Sequence, residues 1–187
     1  MYQNEKTIEK NEIFNGRIVK VRKDKAILDN GSIVDRELVI HSGGVCVVPL
    51  TDENEVIMVR QFRYAFMEPL LEIPAGKLEV GEDHRSAALR ELSEETGAEC
   101  MSFDFLGVCY PSVAYLTEKI YMYLARGLKF GKAHLDEGEF LDVERIPLEK
   151  AVRMVMDGEI PDAKTQIALL KAYEIIRNGG KATVING

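Results

Sequence analysis

Residues 76–97 read GKLEVGEDHRSAALRELSEETG, and no other stretch constrains the fold as much. Gly76 and Gly81 bracket a short loop, KLEV, after which Glu82 and Asp83 begin a helix at the end where its dipole favours negative charge. Gly97 can stop that helix in a left-handed conformation. Ala88, Leu92 and Thr96 share one stripe, so the helix must lie against a sheet. Glu91 and Glu95, four residues apart, stack on a neighbouring stripe with Glu94 close beside them. Like charges at this spacing weaken an isolated helix, and only Arg90, four before Glu94, offers relief. A solvated acidic face is one reading. A divalent cation that needs several oxygen ligands is the other.

The surrounding pattern supplies the sheet. Residues 13–40 alternate as strands around a DNG turn at 29–31, and Ser42-Gly43-Gly44 separates them from the apolar run at 45–50. Residues 1–42 are therefore expected to form an antiparallel strand arm ahead of a main domain at 43–180. Strands are predicted at 45–50, 56–62, 71–74, 103–110 and 119–125, with a polar loop over 129–139. A helix beginning at Pro147 should bury Ala151, Val152 and Val155. A last helix, capped by Asp162, should turn Ile167, Leu170, Tyr173 and Ile176 inward and end at 178–180. Strands with interspersed helices imply an α+β fold, a mixed sheet covered by helices.

Composition narrows the partners. With 46% hydrophobic and 29% charged residues, the chain can bury a substantial core. Its net charge of −7 argues against sequence-independent nucleic-acid binding, which needs a basic surface. The longest strongly apolar run, VCVVPL at 45–50, is too short to cross a bilayer, and the polar start MYQNEKTIEK has no apolar signal region. Cys46, Cys100 and Cys109 lack metal-ligand spacing and suit buried thiols in a reducing compartment. A cytoplasmic protein without membrane or nucleic-acid partners is expected.

The spacing across the acidic stretch carries a resemblance. Gly76, five residues, Glu82, seven residues, Arg90-Glu91-Leu92, one residue, Glu94-Glu95, one residue, then Gly97-Ala98 fills every defining position of the Nudix box. The chain resembles a Nudix hydrolase, which implies a Nudix-type α/β/α sandwich and divalent-metal-dependent hydrolysis of a nucleoside diphosphate linked to another moiety. By that resemblance Glu91 and Glu95 are metal ligands, Glu94 is the third acid of the cluster, Arg90 orients them and Glu82 braces the loop. Gly76 and Gly97 are structural. The chemistry is coherent: Mg²⁺, or Mn²⁺, neutralises the diphosphate and acidifies a water.

Further phrases, VRQFRYAF at 59–66, LLEIPAGKLEVGE at 70–82 and DGEIPDAKTQIALL at 157–170, resemble the ADP-ribose pyrophosphatase branch. That implies hydrolysis of ADP-ribose to AMP and ribose 5-phosphate by a homodimer with exchanged N-terminal strands. It also implies a metal-ligating carbonyl at Ala75, a general base at Glu137, a further ligand at Glu139, and substrate-gripping arginines at Arg63 and, across the dimer, Arg36. One position departs from the branch: Val113 stands where a turn proline is usual, with Pro111 two residues earlier. GDP-mannose or another nucleotide sugar therefore stays open as substrate, as does a nucleotide-sensing module that does not cut. His41, His84 and His134 have no mutual ligand spacing and read as structural or solvated. Tyr115, Tyr121 and Tyr123 could stack on a base, although strand alternation more simply makes them core and surface.

Overall fold

The computed structural model describes residues 4–135 and 140–179. The chain divides into two compact units, one of residues 1–43 with 110–119, the other of 44–109 with 120–187. The first holds a four-stranded antiparallel sheet of β1 (Glu5–Glu9), β2 (Glu12–Asn15), β3 (Lys20–Leu28) and β4 (Ile33–Ile40). β3 is central: β4 runs along one side of it, while β1 and β2 share the other. The stretch ahead of the turn divides into β2 and β3, and the polar start contributes β1. Charged cross-strand pairs such as Lys25–Glu9 tie β1, which has no apolar alternation to announce it, to β3. The turn Asp29-Asn30-Gly31 forms as expected, with Gly31 at a φ of 82°.

The second unit is built on a seven-stranded mixed sheet of β5 (Gly44–Leu50), β6 (Glu55–Arg63), β7 (Glu68–Glu72), β8 (Ala75–Lys77), β9 (Ala98–Cys109), β10 (Ile120–Phe130) and β11 (Leu141–Pro147). β5 and β10 pair in parallel, and the remaining pairings are antiparallel. Side-chain alternation divides these strands cleanly. Val45, Val47, Tyr123 and Ala125 face α1 (His84–Thr96) through Ala87, Ala88 and Leu92. Cys46, Val48, Leu50, Met122 and Leu124 join the other core, with α2 (Leu148–Met156) and α3 (Ala163–Arg177). The central strands are covered on both faces, which is why they read as unbroken apolar runs. This is the helix–sheet–helix sandwich expected of an α+β chain.

Three local expectations change. The α3 face against the core is Thr165, Ala168, Leu169 and Ala172, while Ile167 and Leu170 are exposed. Small side chains let α3 lie close to the sheet, and Tyr173 and Ile176 pack only at the margin. α1 begins later than its acids suggested, with Asp83 as N-cap accepting from the Ser86 amide at 3.0 Å. β9 and β10 are longer than predicted and carry Lys129 and Phe130, because their antiparallel pairing continues to Phe130–Ala98.

Candidate active site

α1 and β8 form the site. Asp83 starts the helix and Gly97 ends it at a φ of 67°, its amide bonding Ser93 O. Between these caps the buried stripe of Ala88, Leu92 and Thr96 fixes the rotation of the helix, so Glu91 and Glu95 must turn toward β8. The Ala75 amide donates to Glu95 Oε2 at 3.0 Å, and Glu95 is only 4% exposed. Gly76 lies directly against the Glu91 carboxyl group. A Cβ placed on it would stand 1.9 Å from the Glu91 carboxyl carbon. Here the missing side chain is a requirement of space.

Arg90 gathers the acids. Its Nε and Nη2 donate to Glu82 at 3.0 and 3.1 Å, and its Nη1 donates to Glu91 at 2.9 Å and Glu94 at 2.8 Å. Glu82 in turn accepts the Glu79 amide at 3.1 Å, tying the KLEV loop to the helix. The Glu82 bonds come first among the causes that raise the Arg90 pKa above its ordinary value, so this cation is permanent. Its hydrogen bonds likewise lower the pKa of the Glu82 carboxyl. One arginine therefore offsets repulsion among three carboxylates, and the cost posed by the sequence is met locally.

Among the described residues no three Asp, Glu, His or Cys side chains are arranged to hold a metal unaided. Glu137 and Glu139 lie outside the described residues. The two expected arginines are both engaged by carboxylates. Arg63 donates to Glu72 through Nε at 2.6 Å and Nη2 at 2.8 Å, within the sheet unit. Arg36 forms a similar fork with Glu5, at 2.8 and 2.7 Å, within the N-terminal unit. Sequence reasoning missed Glu72 and Lys164, which meet beside Arg63. The available signal was a lone carboxylate inside the apolar run LLEIP.

One group of aromatic side chains, around His84, is committed to itself. His84 stacks on Tyr121 with ring centres 4.1 Å apart and bonds the Tyr123 hydroxyl through Nδ1. Tyr123 is buried against Phe103, and burial pushes its pKa up to about 12. Tyr121 and Tyr123 thus pack within the protein, whereas Tyr115 is exposed.

The family model for the NUDIX domain matches residues 41–169. The chain is 45% identical over 167 residues to a methanol dehydrogenase activator of Bacillus methanolicus, covering 88% of this chain and 90% of that one. Over the same length and coverage it is 41% identical to an ADP-ribose pyrophosphatase of Bacillus subtilis. A GDP-mannose pyrophosphatase of Yersinia enterocolitica is 33% identical over 159 residues, covering 79% of this chain and 82% of that one. Among solved structures, an ADP compounds hydrolase matches with a TM-score of 0.84 at 23% identity, covering 97% of this chain and 99% of the other. That last likeness is one of fold.

Proposed function

We propose, on the premise that this chain belongs to the Nudix family, that it hydrolyses ADP-ribose to AMP and ribose 5-phosphate with the help of Mg²⁺. The observation that carries this reading is the packing of Gly76 against the Glu91 carboxyl group, beside a buried Glu95 on the Ala75 amide. Hard oxygens crowded against the backbone of β8 suit a small divalent cation. Glu91, Glu95 and the Ala75 carbonyl would hold it, with Glu139 as a further ligand, and Mg²⁺ commonly keeps waters in its remaining positions. The cation supplies positive charge that neutralises the diphosphate and acidifies water.

The chain's own residues do the rest. Arg90 holds Glu91 and Glu94 in orientation through its Nη1. Glu137 accepts the proton of the attacking water, whose oxygen bonds to one phosphorus while the P–O–P bridge breaks toward the other phosphate. Arg63 offers a cation to the substrate anion. Relatives named for ADP-ribose and for GDP-mannose both support a nucleoside diphosphate sugar, and the higher identity is with the former. The intact acid cluster disfavours a sensing module that does not cut. Exposed apolar residues in the N-terminal unit, among them Ile13, Phe14 and Ile33, support a homodimer in which this arm is covered by a second copy. The free cysteines suit the cytoplasm. Among the described residues no helix is long and apolar enough to cross a membrane.

The deciding experiment measures AMP release from ADP-ribose beside a panel including GDP-mannose, with Mg²⁺, with Mn²⁺ and with EDTA. Mg²⁺-dependent AMP release that Glu95→Gln abolishes, with an unchanged melting temperature, is the expected result. Equal turnover with EDTA present, or by the variant, would overturn the metal assignment. A faster reaction with GDP-mannose would overturn the substrate.

A second reading rests on the 45% identical relative: the chain stimulates a dehydrogenase. Alcohol oxidation by a purified methanol dehydrogenase, with and without this chain, tests it. Stimulation lost in Glu95→Gln would join the two readings, and no stimulation would remove the second.

A further inference from the structure

A buried ion cluster lies three residues ahead of Ala75, and the hydrolytic scheme leaves its carboxylate and its lysine without a part. Glu72 closes β7 with its side chain 2% exposed. A lone carboxylate there would be neutralised or expelled by the cost of burial. Instead it accepts two bonds from Arg63 and one from Lys164. Lys164, 13% exposed, also donates to Asp162 Oδ2 at 2.9 Å. Asp162 caps α3 by accepting the Thr165 amide at 2.9 Å, and Thr165 Oγ1 accepts the Ile73 amide at 3.1 Å. The start of α3 is thus fastened to the strand segment that runs into Ala75, whose amide holds Glu95.

We propose that Lys164 and Glu72 are positioning residues for Arg63, clamping one edge of its guanidinium so that the other faces a substrate anion. The consequence for turnover rests on the hydrolase reading. The clamp itself does not. Burial tends to raise the Glu72 pKa, but bonding to Arg63 and the Lys164 charge outweigh it and leave the group lowered, hence ionised. Glu72 takes the Nε and Nη2 edge of Arg63, and among the described residues Nη1 has no hydrogen-bond partner. The Arg63 side chain is 38% exposed, and the charges of Asp162 and Glu95 both contribute to raising its pKa.

Lys164 has a distinct part in this. With Glu72 held by Arg63 alone, the arginine would have to orient the very carboxylate that orients it. Lys164 also binds Glu72 and is itself held by Asp162, so the carboxylate presents a fixed edge to the Arg63 fork. Stability alone explains the cluster poorly, because apolar replacements of buried ion pairs are often neutral or stabilising. A planar fork held along one edge is oriented, and orientation is what substrate recognition needs.

The test compares Lys164→Met, Lys164→Arg, the paired change Glu72→Gln with Lys164→Met, and Arg63→Ala. The paired change removes the buried Glu72 carboxylate together with its lysine, so it remains informative if Lys164→Met fails to fold. The first readout is the ¹⁵N side-chain signal of Arg63 Nε–H. It should exchange slowly in the wild type and in Lys164→Arg, and rapidly in Lys164→Met and the paired variant. This decides the clamp whether or not the protein hydrolyses ADP-ribose. The second readout is steady-state kinetics. Lys164→Met should raise KM about tenfold or more, the worth of one charged hydrogen bond, with kcat changed far less. It should add little when Arg63 is already alanine, and Lys164→Arg should restore KM. Unaltered Arg63 exchange in both neutral variants would overturn the clamp. Additive effects of Lys164→Met and Arg63→Ala would overturn the coupling. An inactive wild type would instead condemn the hydrolase reading and leave the exchange result standing.

Discussion

At the scale of single residues, chemistry here is set by contacts that tolerate no added atoms or lost charges. Gly76→Ala forces the Glu91 carboxyl group aside, since the new Cβ would lie 1.9 Å from its carboxyl carbon. Glu91 is flexible, so folding should suffer little, within about 1 kcal/mol. Turnover should fall about 100-fold, as expected for a functional group displaced by an ångström or so. Denaturant melts and steady-state rates on the same preparation check both halves. Glu72 makes a second prediction. Its folded-state pKa lies below the ordinary 4.5, so its contribution to stability is fully present above that value. The contribution is lost as pH falls through the lower folded value. Glu72→Gln should therefore be less stable than the wild type near neutral pH, and the gap should shrink well below pH 4.5. Urea titrations at the two acidities measure it.

At the scale of elements, the ends of α1 matter more than its middle. Gly97 combines a φ of 67° with the backbone of residues 131–133, where a Cβ would meet Gly131 O at 2.7 Å and the Ala133 amide at 2.8 Å. Backbone cannot step aside as a side chain can. Gly97→Ala should cost about 2 kcal/mol from strain at a left-handed position, with the clash adding to it, seen as a lowered unfolding midpoint. Elements like α1 were legible in the sequence because spacing and capping residues agree. The stripe of Ala88, Leu92 and Thr96 is buried as the pattern requires. The inner face of α3 was not legible, since hydrophobicity points to Ile167 and Leu170 while close packing selects Ala168 and Ala172. β1 escaped because EKTIE is held by cross-strand pairing and charge, which a single strand does not display. In the site, the Arg90–Glu94 pair follows from i, i+4 spacing, whereas Glu72 and Lys164 are 92 residues apart and only the fold brings them together.

At the scale of the whole molecule, the N-terminal unit bears the prediction. Its strands and turns expose Ile8, Ile13, Phe14, Ile18 and Ile33, apolar side chains that a second copy would cover. The 21.0 kDa chain should sediment as a dimer. Deleting residues 1–42 should yield poorly soluble or inactive protein, and a soluble, fully active monomer from that deletion would rule out the dimer arm. Sedimentation velocity and a rate assay on the truncated chain decide between these outcomes.

The close seat of Gly76 also governs how this protein can change by mutation. Every other amino acid brings a Cβ, so position 76 has no neighbouring variant that could retune the reaction by degrees. Gly81 differs: nothing lies within 4 Å of its would-be Cβ, and only its φ of 81° resists substitution. Asparagine and aspartate tolerate that backbone best. A library randomised at both positions and selected for turnover should return glycine alone at 76, and glycine with some asparagine and aspartate at 81. Drift can explore the loop, then, while its first residue stays closed to variation.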